Sequence, residues 1–412
     1  MGEAYIVDHC RTPRGIGKVG KGALSHLHPQ YLGATVLKAL RERNAIDTSR
    51  VDDIIWGCSN QQAKQASDLG RMTALAAGYD VRASGVTLDR FCGSGLTAAT
   101  FGAATIMAGM EDVVIAGGCE MMSFNASDPR AKRTVLMDAD NLQLRALHPQ
   151  VGQGICADAI ASLDGISRRA LEEFACESQR RAEYAVRNGH FSRSLVPVLN
   201  EDGTLALERD EYPRPQTTLE GLAELKPAFE AAASMSIDDE GTTQLDLIRR
   251  AVPDLEISFV HHAGTSSGVV DGAATLLLAS PEAVSRYGWK PRARIVATAN
   301  VGDSPELMLN APVPAARKVL ARAGLTLDDI DLFEVNEAFA VVTEKFIRDL
   351  KIDRDRINVN GGAIALGHPI GATGAVLIGT LLDELERRDL RRGLVTMCAA
   401  GGMAPAIIIE RV

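Results

Sequence analysis

Aromatic residues are scarce in this chain of 412 residues: two Trp, six Tyr and ten Phe amount to 4%. Its cores must therefore be built from aliphatic and small side chains. No uninterrupted apolar run approaches the ~20 residues of a membrane helix, so no bilayer span is expected. There is no Cys-x-x-Cys pair, and seven irregularly spaced cysteines give no disulfide framework. They predict free thiols in a reducing compartment, the cytoplasm. Basic charge is in deficit, with 44 Lys and Arg against 53 Asp and Glu and a net charge of −9. That leaves no electrostatic footprint for nucleic acid or an anionic membrane surface. The first residues lack the basic and long apolar regions of a signal peptide, and Glu410-Arg411-Val412 is no peroxisomal address. What is present is ordinary globular balance, 46% hydrophobic and 24% charged. The length predicts two or three domain-sized units. Thirty-eight glycines and frequent alanine suit closely approaching helices and strands in a layered α/β core.

The chain reads as two similar halves. In the first, a strand at 4–7 leads to an amphipathic helix at 31–43, an acidic pair Asp52-Asp53, and the apolar strand Ile54-Ile55-Trp56. In the second, a strand at 294–296 leads to a helix at 314–322, the pair Asp328-Asp329, and the strand Leu332-Phe333-Glu334. The similarity continues downstream. Cys92-Gly93-Ser94-Gly95 precedes a helix at 96–110 and a strand at 113–116. Gly367-His368-Pro369-Ile370-Gly371-Ala372-Thr373-Gly374 precedes a helix at 375–388 and a strand at 394–397. Strands alternating with helices predict mostly parallel sheets. Cys92 and His368 then occupy corresponding loops, which a pseudo-twofold would turn toward each other. Residues 121–260 break the pattern, with a helix of mixed polarity at 167–188 and the run Arg209-Asp210-Glu211-Tyr212-Pro213-Arg214-Pro215. A segment this long reads as an inserted subdomain covering the site. The expected division is 1–120 and 261–280 for the first half, 121–260 for the insertion, and 281–412 for the second half.

An arbitrary cysteine is most often a small buried hydrophobe. Cys92, however, stands just ahead of a helix N-terminus, whose partial positive charge and unpaired N–H groups favour a thiolate. Its flanking glycines let a carbonyl approach the backbone closely. His368 sits in a glycine-rich loop. Cys398 ends a β-branched strand and precedes Ala399-Ala400-Gly401-Gly402, at a strand end where sites form in open α/β sheets.

At this point the chain resembles a thiolase over nearly its whole length. The matching segments are Arg90-Phe91-Cys92-Gly93-Ser94-Gly95, Ala116-Gly117-Gly118 with Glu120-Met121-Met122-Ser123, Thr217-Thr218-Leu219-Glu220-Gly221-Leu222-Ala223, Asp271-Gly272-Ala273-Ala274, Asn336-Glu337-Ala338-Phe339, and the run from Asn360 through His368 to Gly374. The resemblance implies a five-layered αβαβα fold of two halves plus a loop domain, assembled as a homodimer or homotetramer. It implies Cys92 as the nucleophile that takes the acyl group, His368 as its base, and Cys398 as the acid/base at the α-carbon of acetyl-CoA. Asn336 would position a water in the oxyanion hole shared with His368, and the N–H groups of Cys92 and Ala400 would form the other. Coenzyme A and acyl-CoA enter as substrates, with no permanent cofactor or metal. Ser267 falls where the family meets pantetheine and Arg214 where it meets the nucleotide phosphates, and Gly264 is a further CoA-binding candidate.

Several positions depart from that pattern. Asp89 replaces the usual Asn, and a carboxylate near Cys92 would oppose thiolate formation. His261-His262-Ala263-Gly264-Thr265 replaces the common Thr-Ala-Gly-Asn, which places His262 near the CoA channel. Gln153 and Ala159 lie at the expected acyl pocket where Met and Asn are usual. The stretch 230–260 is about twenty residues longer than the family's connection. These changes point to an acyl group other than acetoacetyl. The expected activity is thiolysis of a 3-oxoacyl-CoA by CoA, or the reverse condensation. The alternatives are a catalytically weak acyl-CoA-binding relative and a decarboxylating condensing enzyme, the latter disfavoured by Cys398.

Overall fold

The computed structural model describes residues 2–131 and 136–412. The strands that position the site are β1 (Tyr5–Arg11), β2 (Asp53–Gly57), β3 (Val86–Leu88), β4 (Val113–Met121), β5 (Val270–Ala279), β6 (Ala293–Gly302), β7 (Leu332–Val335), β8 (Arg392–Thr396) and β9 (Met403–Arg411). They run in the order β7-β8-β9-β6-β1-β5-β4-β2-β3. Two five-membered patterns of the same topology meet at β1 and β6, through Tyr5↔Arg294 and Ile6↔Ala293. In the first, β1, β5 and β4 are antiparallel neighbours, and β2 then runs parallel to β4 and to β3. In the second, β6, β9 and β8 are antiparallel, β7 runs parallel to β8, and a bridge from Phe333 to Ile357 supplies the outer edge.

The sheet is mixed, with antiparallel pairs in the majority, and the expectation of mostly parallel pairing is corrected. Each half closes by a strand that returns antiparallel between older neighbours. Strand–helix alternation gives no sign of such a return, because β5 arrives only after the long insertion. Burial follows the pairing. Every residue of β4 and β5 is buried, so they read as continuous apolar runs rather than alternations.

The helices used below are α1 (Pro29–Asn44), α2 (Ser94–Met107), α3 (Gln153–Leu163), α4 (Arg168–Arg187), α5 (Pro312–Ala323), α6 (Ala340–Leu350) and α7 (Thr373–Arg387). Helices α2 and α7 are buried on nearly all sides, as the small residues Ser94-Gly95-Leu96-Thr97-Ala98-Ala99 permit. They start two residues earlier than expected, so Ser94 and Thr373 belong to first turns. Between the halves, α3 and α4 lie over the second half's core together with the longer stretch. That stretch forms short helices Glu230–Ala233 and Gln244–Ala251, and Ala233, Leu247 and Ile248 are buried in the same cluster as Cys398. Among the described residues, no helix is long and apolar enough to cross a membrane.

Candidate active site

Cys92 is carried on a sharp turn between β3 and α2. Phe91 has φ +49, a region non-glycine residues rarely enter. The turn is held by Asp89 Oδ1, which accepts the Phe91 N–H at 2.7 Å, and by the Ser94 hydroxyl, which donates to Phe91 O at 2.7 Å. The topologically equivalent turn of the second half carries His368 into α7. The glycines flanking both turns are explained by the contact between them. A Cβ on Gly57 or on Gly95 would come within 2.6 Å of the Gly371 carbonyl oxygen, and one on Gly374 would collide with the Leu96 backbone. Buried Glu120 completes the join, accepting N–H groups from Ser59 at 2.8 Å and from Gly371 at 3.0 Å. The first turns of α2 and α7 thus meet backbone to backbone, which brings the two halves' reactive loops to one place.

His368 is 4% exposed. Its N–H donates to Gly268 O at 2.9 Å, and the carbonyl before it accepts from Arg14 Nη1 at 3.2 Å. The Thr373 hydroxyl donates its hydrogen to Pro369 O at 2.9 Å, so it meets His368 Nδ1, 2.6 Å away, as an acceptor. That assigns the ring proton to Nδ1 and leaves Nε2 as the basic nitrogen, facing Asn336 Nδ2 at 3.4 Å. Burial, and then the charge of Arg14, push the imidazole down to about 4, so it is neutral at physiological pH. Asn336 is 1% exposed, and its Oδ1 is buried without a protein partner among the described residues. Behind it, buried Glu337 accepts from Ser178 Oγ at 2.7 Å, Asn358 Nδ2 at 2.9 Å and Ile364 N at 3.2 Å.

Cys398 leaves β8 into a tight reversal in which Ala399 and Met403 exchange backbone hydrogen bonds of 2.7 and 3.1 Å. Gly401 and Gly402 have φ +77 and +74, which only glycine takes at little cost. The buried Ala400 N–H makes no hydrogen bond to the described residues, as an oxyanion donor requires. Burial, and then the proximity of Cys92, push the Cys398 thiol well up. It therefore stays protonated at physiological pH.

An apolar-lined cavity of about 750 Å³ opens beside this centre, bounded by Gly17, Tyr212, Phe229, Ala263, Ser267 and Val269, among others. Ser267 lies on its wall, and its N–H is tied to Ala338 O at 2.9 Å. Arg214 is exposed beside it, its guanidinium 5.3 Å from the ring of Tyr212. Gly264 supports the wall from behind, where a side chain would strike Leu222. The three pocket candidates have partners and burial of their own. Asp89 is exposed and caps the Phe91 turn. His262 is buried behind the channel, with Nε2 3.1 Å from Glu172 and Nδ1 accepting from Gly264 N. Its neighbour His261 is likewise paired, with Asp158 at 2.7 Å. Gln153 opens α3 and is partly exposed. Among the described residues, no His, Cys, Asp and Glu side chains cluster in a way that would hold a metal ion. Arg14 and Thr373, which meet the His368 loop and ring, were missed as site residues. Thr373 stood inside the matched glycine run, but nothing in the local pattern separates Arg14 from a surface arginine.

A doubled α/β fold that brings two thiols and a neutral histidine beside an apolar cavity belongs to the class of cysteine-dependent acyl-transfer proteins. The chain matches the family descriptions "Thiolase, N-terminal domain" over residues 4–241 and "Thiolase, C-terminal domain" over 289–411. It is 39% identical to a steroid 3-ketoacyl-CoA thiolase of Mycobacterium tuberculosis, covering 100% of this chain and 95% of that protein. It is also 39% identical to a β-ketoadipyl-CoA thiolase of Acinetobacter baylyi, with 100% of both covered. Its structure superposes on human mitochondrial 3-ketoacyl-CoA thiolase in complex with CoA with a TM-score of 0.84 at 32% identity, covering 100% of this chain and 98% of that one. The chain belongs to the thiolase family, and it is an acyltransferase of the thiolase type.

Proposed function

We propose that this thiolase cleaves 3-oxoacyl-CoA in the degradative direction, with Cys92 as nucleophile, His368 as its base and Cys398 as the second acid/base. The observation that carries the reading is the protonation pattern: a neutral His368 with Nε2 unprotonated, beside one thiol raised by burial and another at a helix N-terminus. The Cys92 proton passes to His368, and the thiolate attacks C3 of the substrate. The C2–C3 bond then breaks, and its electron pair becomes the enolate of acetyl-CoA, which takes the Cys398 proton at C2. A second CoA gives its thiol proton to the Cys398 thiolate and attacks the Cys92 thioester. The shortened acyl-CoA leaves, and the proton held by His368 returns to Cys92. Asn336, through a water, and His368 stabilise one thioester oxyanion, and the N–H groups of Cys92 and Ala400 stabilise the other. Ser267 and Gly264 border the pantetheine arm, and Arg214 meets the CoA phosphates.

The same reading divides the chain into halves at 1–120 with 261–280 and at 281–412, covered by 121–260. It makes the enzyme a cytoplasmic homo-oligomer. The strand edge at β3 and the exposed Val81, Val86, Phe101 and Met110 beside it are the support for association.

Intact-protein and peptide mass spectrometry with a panel of 3-oxoacyl-CoAs tests the chemistry. Acylation should map to Cys92, vanish in Cys92→Ala, and discharge on adding CoA. Binding without any adduct would sink the reading.

A further inference from the structure

Arg14, three residues past the end of β1, is buried and clamped along its whole length. Its N–H donates to Asp210 Oδ1 at 2.8 Å, its carbonyl accepts from Glu211 N at 3.0 Å, and its Nε meets Asp210 Oδ1 at 3.4 Å. At the far end Nη1 donates to the carbonyl of Gly367, the residue before His368, at 3.2 Å. Asp210 also takes a forked pair of bonds from Arg11, at 2.8 and 2.9 Å. Burial opposes the Asp210 charge, but Arg11 and Arg14 outweigh that and hold its carboxyl well below the usual carboxylate range. Burial lowers Arg14 to about 10 against the pull of Asp210, so it stays a cation at physiological pH. Glu334 of β7 is also near, but burial pushes it well above the usual carboxylate range, so it supplies no fixed counter-charge. Two arginines thus share one carboxylate, and positive charge is left over beside the His368 loop. The other groups that face the imidazole are Thr373 on its own turn, Asn336 with Glu337 behind it, and the Cys92 and Cys398 thiols. Burial raises Glu337 and Cys398 and so works against charge on either. Arg14 is the group whose charge acts on the ring, in the same direction as burial.

We propose that Arg14 is a positioning residue for acylation: held by Asp210, its cation keeps the resting Cys92–His368 pair neutral, so that His368 takes the Cys92 proton only as the sulfur attacks. The inference rests on the reading of His368 as the base of Cys92 given above. A fixed cation beside an imidazole disfavours the imidazolium, and with it the resting ion pair of thiolate and imidazolium. The nucleophile is then a thiol, poorly reactive toward stray electrophiles, until a substrate carbonyl is in place. The same cation makes the imidazolium a stronger acid once it has formed. That suits the later steps, in which His368 donates to the thioester oxygen and returns the proton to Cys92. Asp210 belongs to the run Arg209 to Pro215, whose Tyr212 lines the cavity and packs on Gly268, so the segment that walls the cavity also sets the base.

The test follows two reactions of Cys92 in the native enzyme, Arg14→Gln, Arg14→Met and Arg14→Lys. One is the pH dependence of its acylation by a fixed 3-oxoacyl-CoA, read by stopped flow. The other is its alkylation by iodoacetamide in the free enzyme at neutral pH, read by peptide mass spectrometry. Arg14→Gln keeps a donor for the Gly367 carbonyl without the charge, Arg14→Met removes both, and Arg14→Lys keeps the charge without the fork. Asp210 retains its forked bonds to Arg11 in all three, so no buried acid is left unpaired. In the two charge-free variants the acid limb of acylation should rise by about one pH unit. Alkylation should quicken by up to about tenfold, the factor that one pH unit represents. Arg14→Lys should keep the native limb and the native alkylation rate, a rescue that a merely loosened site would not show. An unmoved limb in both charge-free variants, or one in Arg14→Lys that moves with theirs, would overturn the inference with the thiolase chemistry intact. His368→Asn acylating with the native limb would instead remove the reading on which it rests.

Discussion

At the level of single residues, the Thr373 hydroxyl is the group that decides which nitrogen of His368 is basic. Thr373→Val would leave a buried Nδ1–H unsatisfied and release the tautomer. We expect kcat/KM to fall about 100-fold with little change in KM, because the loss falls on proton transfer rather than on binding. Thr373→Ser should recover most of it. A steady-state comparison of the three proteins checks this, and a loss confined to KM would refute it. The imidazole also sets a pH dependence. Burial holds it at about 4 in the folded protein, below its usual value of 6.5, so it stays a base until pH approaches 4. The acid limb of Cys92 acylation should therefore lie below pH 5, measured by stopped-flow with a fixed substrate. A limb centred near 6.5 would mean that the ring is better solvated than its surroundings indicate. The same shift acts on stability. Between 6.5 and 4 the unfolded chain binds a proton that the folded one refuses, so His368's contribution is complete above 6.5 and is lost as pH falls toward 4, at up to roughly 1.4 kcal/mol per pH unit.

The elements make a different kind of demand. Helices α2 and α7 cross where Gly95 and Gly374 meet, and the glycines are there for contact rather than for turning. Neither takes positive φ, and a methyl on Gly374 would run into the Leu96 backbone. Gly374→Ala is expected to cost more than 2 kcal/mol, because backbone must move to admit it, and to reduce acylation by parting Cys92 from His368. Gly302→Ala is the control: a Cβ there meets nothing within 4 Å, so its stability should stay within about 0.5 kcal/mol of the native protein. Urea titrations of the two variants read the difference, and equal midpoints would show that the crossing has slack. The residues matched at both turns were legible in sequence for this reason. Interlocking backbones tolerate few substitutions, so the glycines remain as a pattern.

In the whole molecule, two half-sheets share only a short seam between β1 and β6, and charge reinforces it. Buried Arg292 reaches Asp383 at 2.5 Å, Glu386 at 2.8 Å and Asp8 at 3.4 Å, tying β6 to α7 and to β1. Asp383 also receives His9 at 2.9 Å. Burial opposes its charge, but His9 and Arg292 outweigh that and hold it down at about 2. A carboxylate with a depressed folded pKa contributes stability above its unfolded value near 3.8 that is lost as pH falls through 2. Arg292→Met should destabilise by about 3 to 5 kcal/mol, since it leaves buried acids unpaired. Thermal unfolding at pH 7 and at pH 3 checks this, and the gap between variant and native protein should narrow at pH 3 as those acids approach protonation. The proposed association has its own test. Phe101 is 44% exposed beside the β3 edge, so Phe101→Glu should shift sedimentation toward monomer, and an unchanged profile would place the contact elsewhere.

The sequence by itself determined the doubled architecture and the family, and it singled out Cys92, His368 and Cys398 by local pattern, a helix start, a glycine-rich turn and a strand end, whereas Asn336 came only with the matched segment Asn336-Glu337-Ala338-Phe339. It overstated the parallel pairing, since the returns of β5 and β9 depend on where a distant strand lodges. It named Asp89, His262 and Gln153 as pocket candidates from the family positions they match. Only tertiary structure supplied their partners: Asp89 caps the Phe91 turn, and Glu172 faces His262 from a helix ninety residues away. Burial, side-chain direction and the choice of hydrogen-bond partner depend on residues hundreds of positions away, and these three quantities also set the protonation state of His368. A sequence can therefore name the reacting groups, while only the packed molecule sets their pKa values and the shape of what they act on.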